Sequence, residues 1–93
     1  MPGGYHYQHL DFTDEFFETF GSKDFQDADR RQFRKALQLL DQNERHPSLR
    51  VHELQGKYAG VWSASASDVL RMTFVREPSG RKAMLTCSRH YDR

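Results

Sequence analysis

The chain has 93 residues, of which 37% are apolar and 13% aromatic, so it can form one modest core and is too short for two domains. Cys87 is the only cysteine, which excludes a disulfide within the chain and a cysteine-rich zinc site and favours a reducing compartment. Because the sequence lacks a signal-peptide pattern and a membrane-length apolar run, we expect a cytoplasmic protein without a membrane partner. We predict a single domain over residues 1–93, in which residues 1–4 are disordered.

The formal net charge of +1 conceals two halves of opposite sign. Residues 1–45 carry six Lys/Arg and nine Asp/Glu, whereas residues 46–93 carry eight Lys/Arg and four Asp/Glu. This asymmetry favours a basic surface in the second half that suits a polyanion, and the alternative is a scatter of surface charge with no partner.

The first half of the chain predicts one strand and two helices. Alternating aromatic and polar residues indicate a strand over residues 5–12, and Thr13 follows it as a helix N-cap. The first helix ends at Gly21 and places three predicted core residues on its apolar stripe: Phe16, Phe17 and Phe20. The second helix runs over residues 27–43, because apolar residues recur there at spacings of three and four, and His46-Pro47 ends it.

After Pro47 the hydrophobic period changes to two, which predicts strands. The four segments are "SLRVHEL", "GVWSASAS", "DVLRMTFV" and "KAMLTCSRHY", and turn-forming residues separate them. We therefore predict an α+β fold: an N-terminal strand, two helices, and an antiparallel meander of three to four strands with the helices packed on one sheet face.

Alternation along the strands assigns side chains to the two faces of the sheet. The predicted core residues are Leu49, Val51, Leu70, Met72, Phe74, Ala83, Leu85 and Cys87. The predicted open-face residues are Arg50, His52, Val69, Arg71, Thr73, Met84, Thr86, Ser88 and His90. Two imidazoles and two guanidiniums on one face match the needs of RNA cleavage, namely proton transfer near neutral pH and stabilisation of a charged phosphoryl transition state. The alternative is a solvated basic face without chemistry.

Six short stretches are distinctive in combination: "FTDEF", "RRQFRKALQLL", "HELQG", "GVWSA", "LRMTF" and the His-Tyr ending. Together they resemble the RelE/ParE superfamily of bacterial type II toxins over nearly the whole chain. The resemblance implies an endoribonuclease that cuts mRNA on the ribosome by attack of a ribose 2′-hydroxyl on the next phosphate, with no metal or other cofactor. It also implies three partners, which are a cognate antitoxin protein, the ribosome and mRNA.

The resemblance implies catalytic roles for four residues. Arg71 matches the family arginine that clamps the scissile phosphate. His90 and Tyr91 match a His-Tyr ending in which the histidine is the general acid or base and the tyrosine orients or stacks on a base. His52 occupies the place of a base or charge stabiliser. Four basic residues are further predicted to bind RNA: Arg50, Lys57, Arg89 and Arg93.

A second class of function remains open on the sequence. The chain would then be a non-enzymatic toxin that inhibits a topoisomerase, as in the ParE branch, or an inactive homologue that only binds antitoxin. The pair of His52 and His90 favours cleavage, because a binding module needs no titratable groups beside an arginine.

Four further residues are expected to be structural. Trp62 should pack against the core and Cys87 should be a buried small hydrophobe. His6 and His9 should lie on opposite faces of a strand, which argues against a shared metal ion.

Overall fold

The structure, a computed structural model, describes residues 6–89. In this part of the chain, two helices pack on a five-stranded mixed sheet. The strands are β1 (Leu10–Phe12), β2 (His52–Glu53), β3 (Val61–Ser65), β4 (Leu70–Arg76) and β5 (Lys82–Arg89). The helices are α1 (Asp14–Phe20) and α2 (Asp27–Gln42), and two short 3-10 turns cover Pro47–Leu49 and Gly56–Tyr58. The sheet order is β1-β5-β4-β3-β2, and only the pair of β1 with β5 is parallel. The predicted α+β class is confirmed.

Both helices begin as the sequence predicts. The Thr13 hydroxyl accepts a hydrogen bond from the Phe16 amide at 3.1 Å, which satisfies one of the free N–H groups at the start of α1. At the start of α2 the Gln26 amide donates to the Asp29 carboxylate at 2.9 Å. Phe17 is 39% exposed, so its prediction as a core residue is wrong. α2 ends at Gln42, before the His46-Pro47 pair that was predicted to end it, and Pro47 begins a 3-10 turn.

The N-terminal strand is shorter than predicted and pairs in parallel. Only Leu10–Phe12 forms β1, and these residues lie opposite Lys82–Met84 of β5. Hydrogen bonds from Thr13 to the Met84 carbonyl then lead the chain into α1, which continues along the outer edge of β5. At the far end of α1 the Cys87 amide donates to the Thr19 hydroxyl at 2.9 Å. Strand and helix together therefore cover one edge of the sheet.

The core lies on one face of the sheet, and β4 contributes to it as predicted. Leu70, Met72 and Phe74 are fully buried and pack with Phe33, Leu37 and Leu40 of α2 in one cluster. The alternation predicted for β5 is wrong at its centre. The pairs Thr73 with Thr86 and Phe74 with Met84 leave one extra residue on β5, a β-bulge that shifts the register. Met84 is consequently buried, whereas Ala83 and Leu85, both predicted in the core, are only partly buried.

The strand predicted over "SLRVHEL" is reduced to two residues. The chain makes the 3-10 turn at Pro47–Leu49, and Arg50 then adopts a left-handed backbone with φ 47°. This conformation is uncommon for a residue with a side chain and is incompatible with a strand, so β2 starts only at His52. Within residues 6–89, none of the helices has both the length and the apolar character needed to span a membrane.

Candidate functional site

His52 stands at one end of a polar row that crosses the open face of four strands. The strand pairs place His52 beside Ser63, Ser63 beside Thr73, and Thr73 beside Thr86. Cross-strand partners share a face of the sheet, so their side chains lie in one line. The hydroxyl oxygens of Thr73 and Thr86 are 2.5 Å apart, which joins β4 to β5 on this face.

The exposed imidazole of His52 is oriented by the backbone. Its Nδ1 lies 2.8 Å from the Arg50 carbonyl oxygen, and since a carbonyl only accepts, Nδ1 must donate. In the neutral ring the lone pair is then on Nε2, the nitrogen suited to take a proton from a ligand. The left-handed backbone of Arg50 is therefore part of the site, since it turns that carbonyl toward the ring.

Arg71 lies in the next row of the same face, beside Ser65 of β3 and Ser88 of β5. Its Nη1 donates to the carbonyl oxygens of Ser67 at 2.7 Å and Leu70 at 3.1 Å, so the guanidinium is held beside the β3–β4 turn. The strand spacings put the Cα atoms of His52 and Arg71 about 12 Å apart.

The predicted RNA-binding residues do not all lie on this face. Arg50 is exposed beside His52, and Lys57 is exposed in the 3-10 turn between β2 and β3, with its ammonium 5.3 Å from the Tyr58 ring centre. Arg89 lies opposite Leu70 on the helix side of the sheet, where its guanidinium contacts the Asp29 carboxylate at 2.8 Å. The structure therefore separates Arg89 from His52 and Arg71.

Three predicted site residues, His90, Tyr91 and Arg93, lie outside the described residues. The strand alternation after the bulge places Ser88 and Arg71 side by side on the open face. The roles of His90 as acid or base and of Tyr91 as an orienting group stay predictions.

The expected structural residues have packing roles. Trp62 stacks on Phe74 with ring centres 6.5 Å apart, and the Arg76 guanidinium lies 4.2 Å from the Trp62 ring centre. Cys87 is 4% exposed, and burial raises the pKa of its thiol to about 12, so the reactive thiolate is scarce at neutral pH.

The prediction that His6 and His9 lie on a strand is wrong, because β1 begins after them. His9 Nδ1 donates to the Asp41 carbonyl at 3.1 Å, while His6 is exposed. Among residues 6–89, no group of three or more His, Cys, Asp or Glu side chains is arranged to hold a metal ion.

The hydroxyl groups that connect the site were not predicted from the sequence. The alternation placed Thr73, Thr86 and Ser88 on the open face without a role, and it made no prediction for Ser63 or Ser65. Their signal was the small polar residue at every second position of "VWSASAS", next to the strand that carries Arg71.

The fold is that of the RelE/ParE-like toxins, which confirms the resemblance at the level of structure. The YoeB/ParE toxin from Agrobacterium tumefaciens superposes with a TM-score of 0.70 at 19% identity, over 90% of this chain and all of that one. YafQ from Escherichia coli gives 0.68 at 12% identity, over 90% and 93% of the two chains. The YoeB-YefM complex from Staphylococcus aureus gives 0.68 at 15% identity, over 94% and 100%. No family model and no curated protein matches the sequence.

Proposed function

We propose that the protein is the toxin of a type II toxin–antitoxin system and that it cleaves mRNA on the ribosome without a metal ion. The observation that carries the proposal is the shared face of His52 and Arg71, each with donor or acceptor groups left for a ligand. The chain shares its fold with solved proteins described as toxins, among them YafQ in a DinJ-YafQ toxin–antitoxin complex.

In the proposed reaction, a ribose 2′-hydroxyl attacks the adjacent phosphorus and the 5′-oxygen of the next nucleotide leaves. His52 Nε2 accepts the hydroxyl proton, because Nδ1 already donates to the Arg50 carbonyl. Arg71 stabilises the negative charge that develops on the phosphoryl oxygens through N–H groups other than those used by the turn. The products are a 2′,3′-cyclic phosphate and a 5′-hydroxyl.

The leaving 5′-oxygen requires a proton, which we assign to His90. Tyr91 would stack on a base of the substrate, and Arg50, Lys57 and Arg93 would contact phosphates of the RNA. Arg89 is already paired with Asp29, so its predicted RNA contact would first require that ion pair to open.

The proposed partners follow from the same function. The toxin would act in the cytoplasm, where translating ribosomes present mRNA, and a cognate antitoxin protein would silence it. The solved YoeB-YefM and DinJ-YafQ complexes support a protein partner for a chain of this fold.

Expression of the chain without an antitoxin tests the function in cells. We expect growth arrest together with new 5′ ends within translated mRNA, and we expect neither effect from Arg71→Ala. Growth arrest with unchanged mRNA 5′ ends would favour a topoisomerase-inhibiting toxin. Normal growth with a folded, abundant protein would favour an inactive antitoxin-binding homologue.

A further inference from the structure

A groove of about 530 Å³ opens beside the start of β2, between α2, the 3-10 turn at Pro47–Leu49 and the β3–β4 turn. Its floor includes three apolar side chains, Ala36, Leu39 and Leu49. Its polar rim includes Lys35, Ser48, Arg50, Ser67 and Asp68. The volume falls within the range of about 300–1,000 Å³ that is typical of small-ligand sites.

The groove exists because β2 is short. His52 pairs with Ser63, but the left-handed backbone of Arg50 takes the preceding chain out of the sheet. No residue of β2 therefore lies opposite Ser65, two positions further along β3. Alternate residues of an antiparallel strand direct their N–H and C=O groups to the same neighbour, so those of Ser65 face the groove. The edge supplies a backbone donor and acceptor for a ligand.

Positive charge surrounds this groove. Lys35 and Arg50 are exposed and form no ion pair within residues 6–89, and Asp68 is the only acidic side chain of the lining. The Arg71 guanidinium donates to the carbonyl of Ser67, which lines the groove, so a third cation contacts the turn beside it. The groove is thus complementary to an anion, and the β3–β4 turn that lines it also holds the Arg71 guanidinium.

We propose that this groove binds one nucleotide of an RNA strand, next to the phosphate that Arg71 holds. Lys35 and Arg50 would contact its phosphate, the serine hydroxyls would contact the ribose, and the base would cover the apolar floor. The inference rests on the proposed function in one respect, because the strand that reaches the groove is the RNA held by Arg71.

Binding of adenosine 5′-monophosphate to the ¹⁵N-labelled full chain tests the proposal by NMR. We expect the largest shift changes at the amides of residues 65–68 and at Leu39. Lys35→Gln and Arg50→Asn should each weaken binding about three- to tenfold, as expected for one charged contact. Asparagine at position 50 tolerates the left-handed backbone, so its effect reports the lost charge rather than strain.

Arg31→Gln is the matched control, because Arg31 is an exposed cation one helical turn before Lys35 and does not line the groove. It should leave the affinity within about twofold of wild type. Inorganic phosphate should bind about tenfold more weakly than the nucleotide, since it lacks a base to cover the floor.

Three results would overturn the groove proposal: no shift changes at the groove, equal affinities for phosphate and nucleotide, or displacement of the nucleotide by an equimolar hexaglutamate peptide. The last result would identify an acidic protein segment as the occupant. Cleavage of ribosome-bound mRNA is measured in parallel with the wild-type chain. Nucleotide binding without cleavage would refute only the proposed function, whereas cleavage with groove variants that bind the nucleotide normally would refute only the groove.

Discussion

His52 and Arg71 are each oriented by backbone carbonyls. The Arg50 carbonyl fixes the proton on His52 Nδ1, and the carbonyls of Ser67 and Leu70 hold one end of the Arg71 guanidinium. Both sets of acceptors are backbone carbonyls, which carry no ionisable proton, so the fold itself orients the two side chains. In the proposed reaction, this arrangement leaves His52 Nε2 to take a proton and the other Arg71 N–H groups to bind phosphate.

Substitution of either residue should lower cleavage without unfolding the protein. We expect Arg71→Ala and His52→Gln each to reduce the single-turnover cleavage of mRNA on programmed ribosomes by about a hundredfold or more. His90→Gln should do the same if His90 protonates the leaving oxygen. Folding should survive at positions 52 and 71, because neither side chain packs in the core cluster.

His6→Gln is the control for these measurements, because His6 is exposed and precedes β1. Cleavage by folded Arg71→Ala and His52→Gln at rates near wild type would eliminate the site. A loss confined to one variant would leave the other residue outside the reaction.

At the scale of elements, the bulge in β5 decides which side chains reach the core. One extra residue at Leu85 turns Met84 inward and allows Cys87 to point inward again three residues later. The same shift brings Thr86 beside Thr73 and Ser88 beside Arg71. The bulge therefore both completes the core and sets the polar rows of the open face.

A pair of substitutions on either side of the bulge tests this register. Met84 is fully buried, so Met84→Ala should lower the free energy of unfolding by about 2–5 kcal/mol. Leu85 is only partly buried outside the core cluster, and Leu85→Ala should cost about 1 kcal/mol. Denaturant titration of both variants measures the difference in their free energies of unfolding. A larger loss for Leu85→Ala than for Met84→Ala would instead support an uninterrupted alternation along β5.

How far the sequence could predict each element depended on the range of the interactions involved. Thr13 and the alternation around Arg71 are local patterns, and both were predicted correctly. The bulge at Leu85 depends on the register with β4, and the parallel pairing of β1 depends on contact with a strand about 70 residues away. The orientation of His52 depends on a left-handed arginine, which no propensity favours.

At the scale of the whole molecule, one ion cluster joins the two layers. Glu44, just after α2, contacts Arg76 of β4 at 2.6 Å and Lys82 of β5 at 2.9 Å. Lys82 is 7% exposed, so its ammonium would be a buried unpaired charge without this carboxylate. The Arg76 guanidinium also lies over the Trp62 ring and covers this part of the sheet under the end of α2. The cluster fixes the C-terminal end of α2 to the strand pair that carries the open face.

This cluster predicts a loss of stability in acid. Hydrogen bonds from Arg76, and then from Lys82, lower the pKa of Glu44 from its ordinary value of 4.5 to about 2. A carboxyl with a depressed folded-state pKa stabilises the fold fully above its unfolded-state pKa, and the contribution disappears as the pH falls from about 4.5 to about 2. We expect about 1–2 kcal/mol at neutral pH, after allowance for solvent screening of the partly exposed pair.

The comparison of wild type with Glu44→Gln isolates that contribution from the other carboxylates. Denaturant titrations at pH values between 2 and 7 should give the variant a lower free energy of unfolding above pH 5, and the difference should vanish near pH 2. Asp24→Asn provides the matched control, because Asp24 is exposed and its carboxylate forms no ion pair within residues 6–89. A difference between wild type and Glu44→Gln that stayed constant with pH would mean that the amide loses packing rather than charge. Glu44 would then hold α2 to the sheet by packing and not by charge. Any loss of stability in acid would come from other carboxylates.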